Sequence, residues 1–84
     1  MTPVEWTEDA LSDLGKLDPQ IRLRVLRKIS WLSNNFEAIT PETLSGEFKG
    51  MFKFRIGDWR IIYTIEEQTL LIQFVGHRRE IYNL

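Results

Sequence analysis

The stretch from Met51 to Ile65, MFKFRIGDWRIIYTI, constrains the fold more than any other part of the chain. Apolar and polar residues alternate on both sides of Gly57-Asp58. That is the pattern of two half-buried antiparallel strands joined by a two-residue turn. Such a turn sets Ile56 opposite Trp59. The register that follows sets Arg55 opposite Arg60, Phe54 opposite Ile61, Lys53 opposite Ile62 and Phe52 opposite Tyr63. One face of the hairpin then collects Phe52, Phe54, Ile56, Trp59, Ile61, Tyr63 and Ile65. The other collects Lys53, Arg55, Arg60, Ile62 and Thr64. The apolar face must be covered by other elements, and a one-residue slip would exchange the two faces.

Helices are the available cover. Thr7 is a capping residue, Glu8 and Asp9 suit a first helical turn, and Ala10, Leu11, Leu14 and Leu17 recur at helical spacing. Asp18-Pro19 reads as a stop and restart, with Asp capping and Pro at the first position of a second helix. Ile21, Val25, Ile29 and Leu32 form its apolar stripe, and Ser33-Asn34-Asn35 ends it. Helices joined this tightly form an antiparallel hairpin. Residues 3–7 have the look of a short strand, and residues 36–46 read as a loop broken by Thr40-Pro41 and Ser45-Gly46. After a turn at Glu66 to Thr69, LLIQFV makes a further strand in which Ile65 opposes Leu70, Tyr63 opposes Ile72 and Ile61 opposes Phe74. Phe74 then joins the core, while Gln73, Val75 and, if the strand extends that far, His77 join the cationic face. The expected fold class is α+β: an N-terminal strand, an antiparallel helical hairpin, then a three- to four-stranded, largely antiparallel twisted sheet, with residues 1–84 as one domain.

The totals exclude several classes. Of 84 residues none is cysteine and one, His77, is histidine. No disulfide framework or Cys-based zinc site is available, and a histidine-rich metal site is disfavoured. No cofactor is implied. No stretch approaches the ~20 apolar residues of a membrane span, and MTPVEWTEDA lacks the pattern of a secretory signal, so a cytoplasmic location is expected. The net charge of −1 counts against a global nucleic-acid-binding surface, so any basic surface has to be local.

Arg55 opposite Arg60 is such a local concentration. Like charges directly opposed on a sheet cost roughly 0.2–1 kcal/mol. An ordinary solvated face tolerates this, and Glu8, Asp9 or Glu47 are candidate counter-charges. The functional alternative is an external anion. Phosphate fits, because a guanidinium grips it through two parallel hydrogen bonds. His77, Arg78, Arg79 and Tyr82 follow the last strong strand. A base near neutral pH, several guanidiniums and a phenol suit metal-free RNA cleavage, in which a 2′-OH loses a proton, a phosphorane gathers negative charge and the 5′-oxygen gains a proton. Metal-dependent cleavage needs converging carboxylates, and the acids here are scattered.

The C-terminal half, LSGEFKGMFKFRIGDWRIIYTIEEQTLLIQFVGHRREIYNL, resembles the RelE branch of the RelE/ParE toxin superfamily. The matching features are Leu-x-Gly, Phe-Lys-x-Arg, Gly-Asp-aromatic-Arg, Ile-Tyr and the terminal Gly-His-Arg-Arg-Glu-Ile-Tyr. The N-terminal strand and helices fit the same fold. The resemblance implies a small toxin that enters the ribosomal A site and cuts mRNA, silenced by a cognate RelB-like antitoxin whose complex binds operator DNA through the antitoxin. Position by position, it implies a catalytic set of Lys53, Arg55, Arg60, His77, Arg78 and Tyr82, with Lys49 and Arg79 as RNA contacts. In that scheme Arg60 and Arg55 stabilise the phosphorane, and Lys53 or His77 assists deprotonation. Arg78 or His77 supports the leaving oxygen, and Tyr82 orients a base or the nucleophile. Two departures stand out. Arg55 replaces a lysine found in some members, and the net charge is low for a ribosome-binding toxin. The rival on the same fold is a ParE-like inhibitor of DNA gyrase, which binds protein and cuts no RNA. A second rival is an inactive member serving as a repressor or interaction domain.

Overall fold

The computed structural model describes residues 1–81; Tyr82 lies outside the described residues. The chain runs β1 (Val4–Trp6), α1 (Glu8–Gly15), α2 (Pro19–Asn35), β2 (Glu42–Thr43), β3 (Phe52–Ile56), β4 (Trp59–Glu66) and β5 (Thr69–His77), with short 3-10 turns at Phe36–Ala38 and Gly46–Phe48. The five strands form one sheet in the order β1-β5-β4-β3-β2. β1 runs parallel to β5, and every other neighbouring pair is antiparallel. The fold is α+β, as expected, but with two more strand pairings than the hairpins alone provide. No helix among the described residues is long and apolar enough to cross a membrane.

The caps fall where the side-chain chemistry puts them. Thr7 Oγ1 accepts from the Ala10 amide at 3.0 Å and donates to the Gln73 carbonyl at 3.2 Å, so one hydroxyl starts α1 and ties it to β5. Asp18 caps α2 through the Gln20 amide at 2.9 Å, with Pro19 next. Arg22 then reaches back to the Leu14 and Leu17 carbonyls at 3.3 and 3.0 Å and fastens the link between the helices.

Ala10, Val25, Ile29 and Leu32 from the helices and Leu17 from the link between them meet Ile56, Ile61, Tyr63, Leu70, Ile72 and Val75 from the sheet. Tyr63 is the largest fully buried side chain, held by an edge contact from Phe36 and a stack from Phe52, with ring centroids 6.1 and 5.5 Å away. The β3–β4 register is the expected one at every pair.

The β4–β5 register departs from the expected one halfway along. It runs Ile65↔Leu70 and Tyr63↔Ile72, then resumes as Ile62↔Phe74 and Ile61↔Val75. Gln73 is an extra residue, a β-bulge, and every side chain after it changes face. Val75 enters the core and is buried, whereas Phe74 stands beside Ile62 on the opposite face. His77 pairs with Trp59 and so lies on the helix side of the sheet, away from the face assigned to it from sequence. The bulge sits where β1 ends. Beyond Ile72 the exposed edge of β5 is served by side chains of the helical layer: Thr7 on the Gln73 carbonyl and Asp13 Oδ2 accepting from the Val75 amide at 3.0 Å.

Burial pushes the Tyr63 hydroxyl up from 10.0 to about 12. An unfolded tyrosine ionises near pH 10, so above that pH unfolding releases a proton. The stability contributed is complete below pH 10 and is lost as pH rises through the window up to 12, on the order of 3 kcal/mol in all. Urea unfolding across that window should show the decline in wild type and lack it in Tyr63→Phe.

Candidate functional site

The cations of β3 point away from the helices because the register places their aromatic neighbours in the core. Lys53 lies along the back of the sheet opposite Ile62, its side chain 14% exposed, while the Arg55 side chain is 60% exposed. Their partner is Glu42 of the edge strand β2, set directly across from Lys53. Glu42 Oε2 stands 3.3 Å from Lys53 Nζ and 3.3 Å from Arg55 Nη2. The counter-charge therefore comes from neither Glu8, Asp9 nor Glu47. Burial works against charge on Glu42, but the hydrogen bond and charge of Lys53, followed by those of Arg55, prevail and hold the carboxyl below its ordinary 4.5. Beside this trio lies a groove of about 300 Å³ whose apolar walls include Trp31, Pro41 and Phe54.

Arg60 opposes Arg55 in the ladder. The guanidinium turns away from it, donating to the Gly57 carbonyl at 2.7 Å and the Trp59 carbonyl at 2.9 Å. Arg78 meets the same turn from the other side. Its amide donates to the Asp58 carbonyl at 2.7 Å and its Nε stands 3.5 Å from Asp58 Oδ1. His77 lies edge-on to Trp59 at 5.2 Å between centroids. Its Nδ1 accepts from the Arg79 amide at 3.1 Å, so the neutral ring carries its proton on Nε2. Lys49 and Arg79 are exposed.

The expected residues thus divide into two groups. Lys53 and Arg55 sit with Glu42 on the back of β3. Arg60, Arg78 and His77 gather around the Gly57-Asp58 turn, with the histidine on the helix side. Tyr82 falls outside the described residues. Glu42 is the member of this cluster that sequence reasoning missed. A two-residue strand is too short to show periodicity, and the one local signal is Pro41, whose fixed φ suits an extended chain before the hairpin. Among the described residues no three His, Cys, Asp or Glu side chains are placed to hold a metal ion.

An anion that binds Lys53 and Arg55 must compete with Glu42. Sulfate should therefore shift the Lys53 and Arg55 amide resonances at lower concentration in Glu42→Gln than in wild type. In wild type the same gain should appear as pH falls below 4.5, because protonating Glu42 releases both cations. Identical titrations of the two proteins would show that the carboxylate does not occupy the anion's place.

Known proteins share this fold. Residues 4–82 match the family described as the ParE toxin of type II toxin-antitoxin systems, parDE. Toxin RelG of Mycobacterium tuberculosis is 32% identical over 81 residues, covering 94% of this chain and 93% of that protein. In the crystal structure of the RelBE2 toxin-antitoxin complex from Mycobacterium tuberculosis, one chain superposes with a TM-score of 0.81 at 32% identity, covering 92% of this chain and 98% of that one. A chain of the RelB-RelE complex from Methanococcus jannaschii shares the fold, with a TM-score of 0.72 at 22% identity over 94% of this chain and 95% of that one.

Proposed function

The chain belongs to the ParE toxin family of type II toxin-antitoxin systems, within the RelE/ParE superfamily, and from that membership we propose that it is a metal-independent, ribosome-dependent endoribonuclease that cuts mRNA in the ribosomal A site. The observation that carries this reading is the back of β3 and β4, where Lys53, Arg55 and Arg60 share one face and Glu42 stands against two of them. The names of its relatives, toxin RelG and the RelBE2 complex, point the same way.

In the proposed reaction the ribose 2′-OH gives up its proton and its oxygen attacks the adjacent phosphorus. The bond to the 5′-oxygen breaks, leaving a 2′,3′-cyclic phosphate and a 5′-hydroxyl. Arg55 and Arg60 stabilise the charge on the phosphorane, for which rigid forked donors suit the equatorial oxygens. Lys53 or Glu42 takes the 2′-OH proton. Glu42 is a weak base while its two cations hold it, and becomes a stronger one when the phosphate takes those cations over. His77, through Nε2, or Arg78 supports the leaving oxygen, and Tyr82 orients a base or the nucleophile. Lys49 and Arg79 contact flanking RNA. With a net charge of −1, free RNA is held weakly and the ribosome supplies the positioning.

The partner is a cognate RelB-like antitoxin acting in the cytoplasm, with operator DNA bound through the antitoxin. Leu11, Leu23, Leu26 and Trp31, each 41–52% exposed on the two helices, are apolar surface of the kind an amphipathic helix covers. The competing reading, inhibition of DNA gyrase without RNA chemistry, draws support from the ParE description of the matched family. Pulse labelling during induced expression separates them. Wild type should halt methionine incorporation while thymidine incorporation continues. Folded Arg60→Ala should lose the arrest, because removing one transition-state donor costs roughly 10²–10³-fold in rate. Thymidine incorporation failing first would establish the gyrase reading instead.

A further inference from the structure

Three arginines from three separate elements converge on the Gly57-Asp58 turn. Arg60 of β4 donates to the Gly57 carbonyl, and Arg78, just past β5, donates its amide to the Asp58 carbonyl. The third is Arg24, from α2. A Cβ on Gly57 would stand 2.6 Å from Arg24 Nη2 and 3.1 Å from its Cζ and Nη1. The missing side chain at Gly57, whose φ is +60°, is what allows a guanidinium to lie against the turn.

We infer that this turn carries a second phosphate subsite, in which Arg24 joins Arg60 and Arg78 to hold an RNA backbone phosphate next to the one being cut. The inference rests on the RNA-cleaving reading above. Both carbonyls of the turn are already taken, and the turn's own carboxylate, Asp58, stands 3.5 Å from Arg78 Nε. Among the described residues the Arg24 guanidinium, which carries five N–H donors, makes no hydrogen bond or ion pair. Arginines gathered at one turn suit an anion, and phosphate matches the forked geometry of a guanidinium.

Continuity favours RNA over an acidic protein segment. Arg60 belongs to both places: its Cα opposes Arg55 on the back of the sheet, and its guanidinium reaches the turn. A nucleic-acid backbone can therefore pass from the Lys53–Arg55 face, round the end of the hairpin, to the N-terminal half of α2. That path ends on the helix side, the side to which the bulge turned His77.

The test is binding to purified ribosomes with an empty A site, followed by fluorescence anisotropy over a range of KCl concentrations. Each phosphate contact contributes roughly 0.7–0.9 to the slope of log K against log salt. Arg24→Gln should lower the wild-type slope by about that amount, and Arg24→Lys should restore it. Arg27→Gln, which removes the same charge about one turn further along α2, should leave the slope as it was. Equal effects of Arg24→Gln and Arg27→Gln would overturn the subsite, since a general field makes no such distinction. Unchanged ribosome binding by Arg24→Gln with weakened antitoxin binding would assign the arginines to an acidic protein partner. Toxic wild type that does not bind ribosomes would remove the RNA reading itself, an outcome visible without any variant.

Discussion

The pairing of β3 with β4 through Gly57-Asp58 is the constraint on which the rest of the molecule depends. Side chains alternate with a period of two, so this one register decides which residues meet the helices and which face outward. It puts Phe52, Phe54, Ile56, Ile61 and Tyr63 against the helical layer and leaves Lys53, Arg55 and Arg60 together on the other side. It also places Arg55 opposite Arg60, an arrangement that costs free energy unless each guanidinium finds something else to bind. Arg55 turns to Glu42 on the edge strand, and Arg60 turns to the carbonyls of the hairpin end. The apolar requirement of the core thus creates the cationic face, and the cationic face organises β2 and the turn.

The parts legible in sequence were those with a strong period or a specific cap. Thr7, Asp18 and Pro19 start the helices where their side-chain chemistry demands, and the alternation on both sides of Gly57 fixes the first hairpin. The bulge at Gln73 was not legible. In LLIQFV either Phe74 or Val75 can continue the apolar face, and the choice depends on Asp13 of α1 holding the Val75 amide, a contact 62 residues away in the chain. That single extra residue carried His77 to the other side of the sheet. Glu42 was hidden for a different reason. Its strand is two residues long, and only the folded sheet reveals that it lies beside Lys53. The grouping of Arg24 with Arg60 and Arg78 is likewise a property of the fold, because their sequence positions share no pattern.

These features explain how a chain of net charge −1 can present a strongly cationic site. The positive charge is local, and acids drawn from within the fold stand beside it, Glu42 at one end and Asp58 at the other. Such internal carboxylates weaken attraction for free polyanions and leave the cations available to a phosphate held in place by a larger surface. On the proposed reading, the same electrostatics account for a dependence on the ribosome and for modest binding of isolated RNA.

The most direct measurement is primer extension on a defined mRNA in a purified translation system, with ribosomes stalled at an empty A site and a ribosome-free control. A new 5′ end within the A-site codon, present with wild type and absent both without ribosomes and with Arg60→Ala, is the predicted result. Intact mRNA after incubation with folded protein that is toxic in cells would contradict it. The cations of the hairpin would then belong to a protein-binding face.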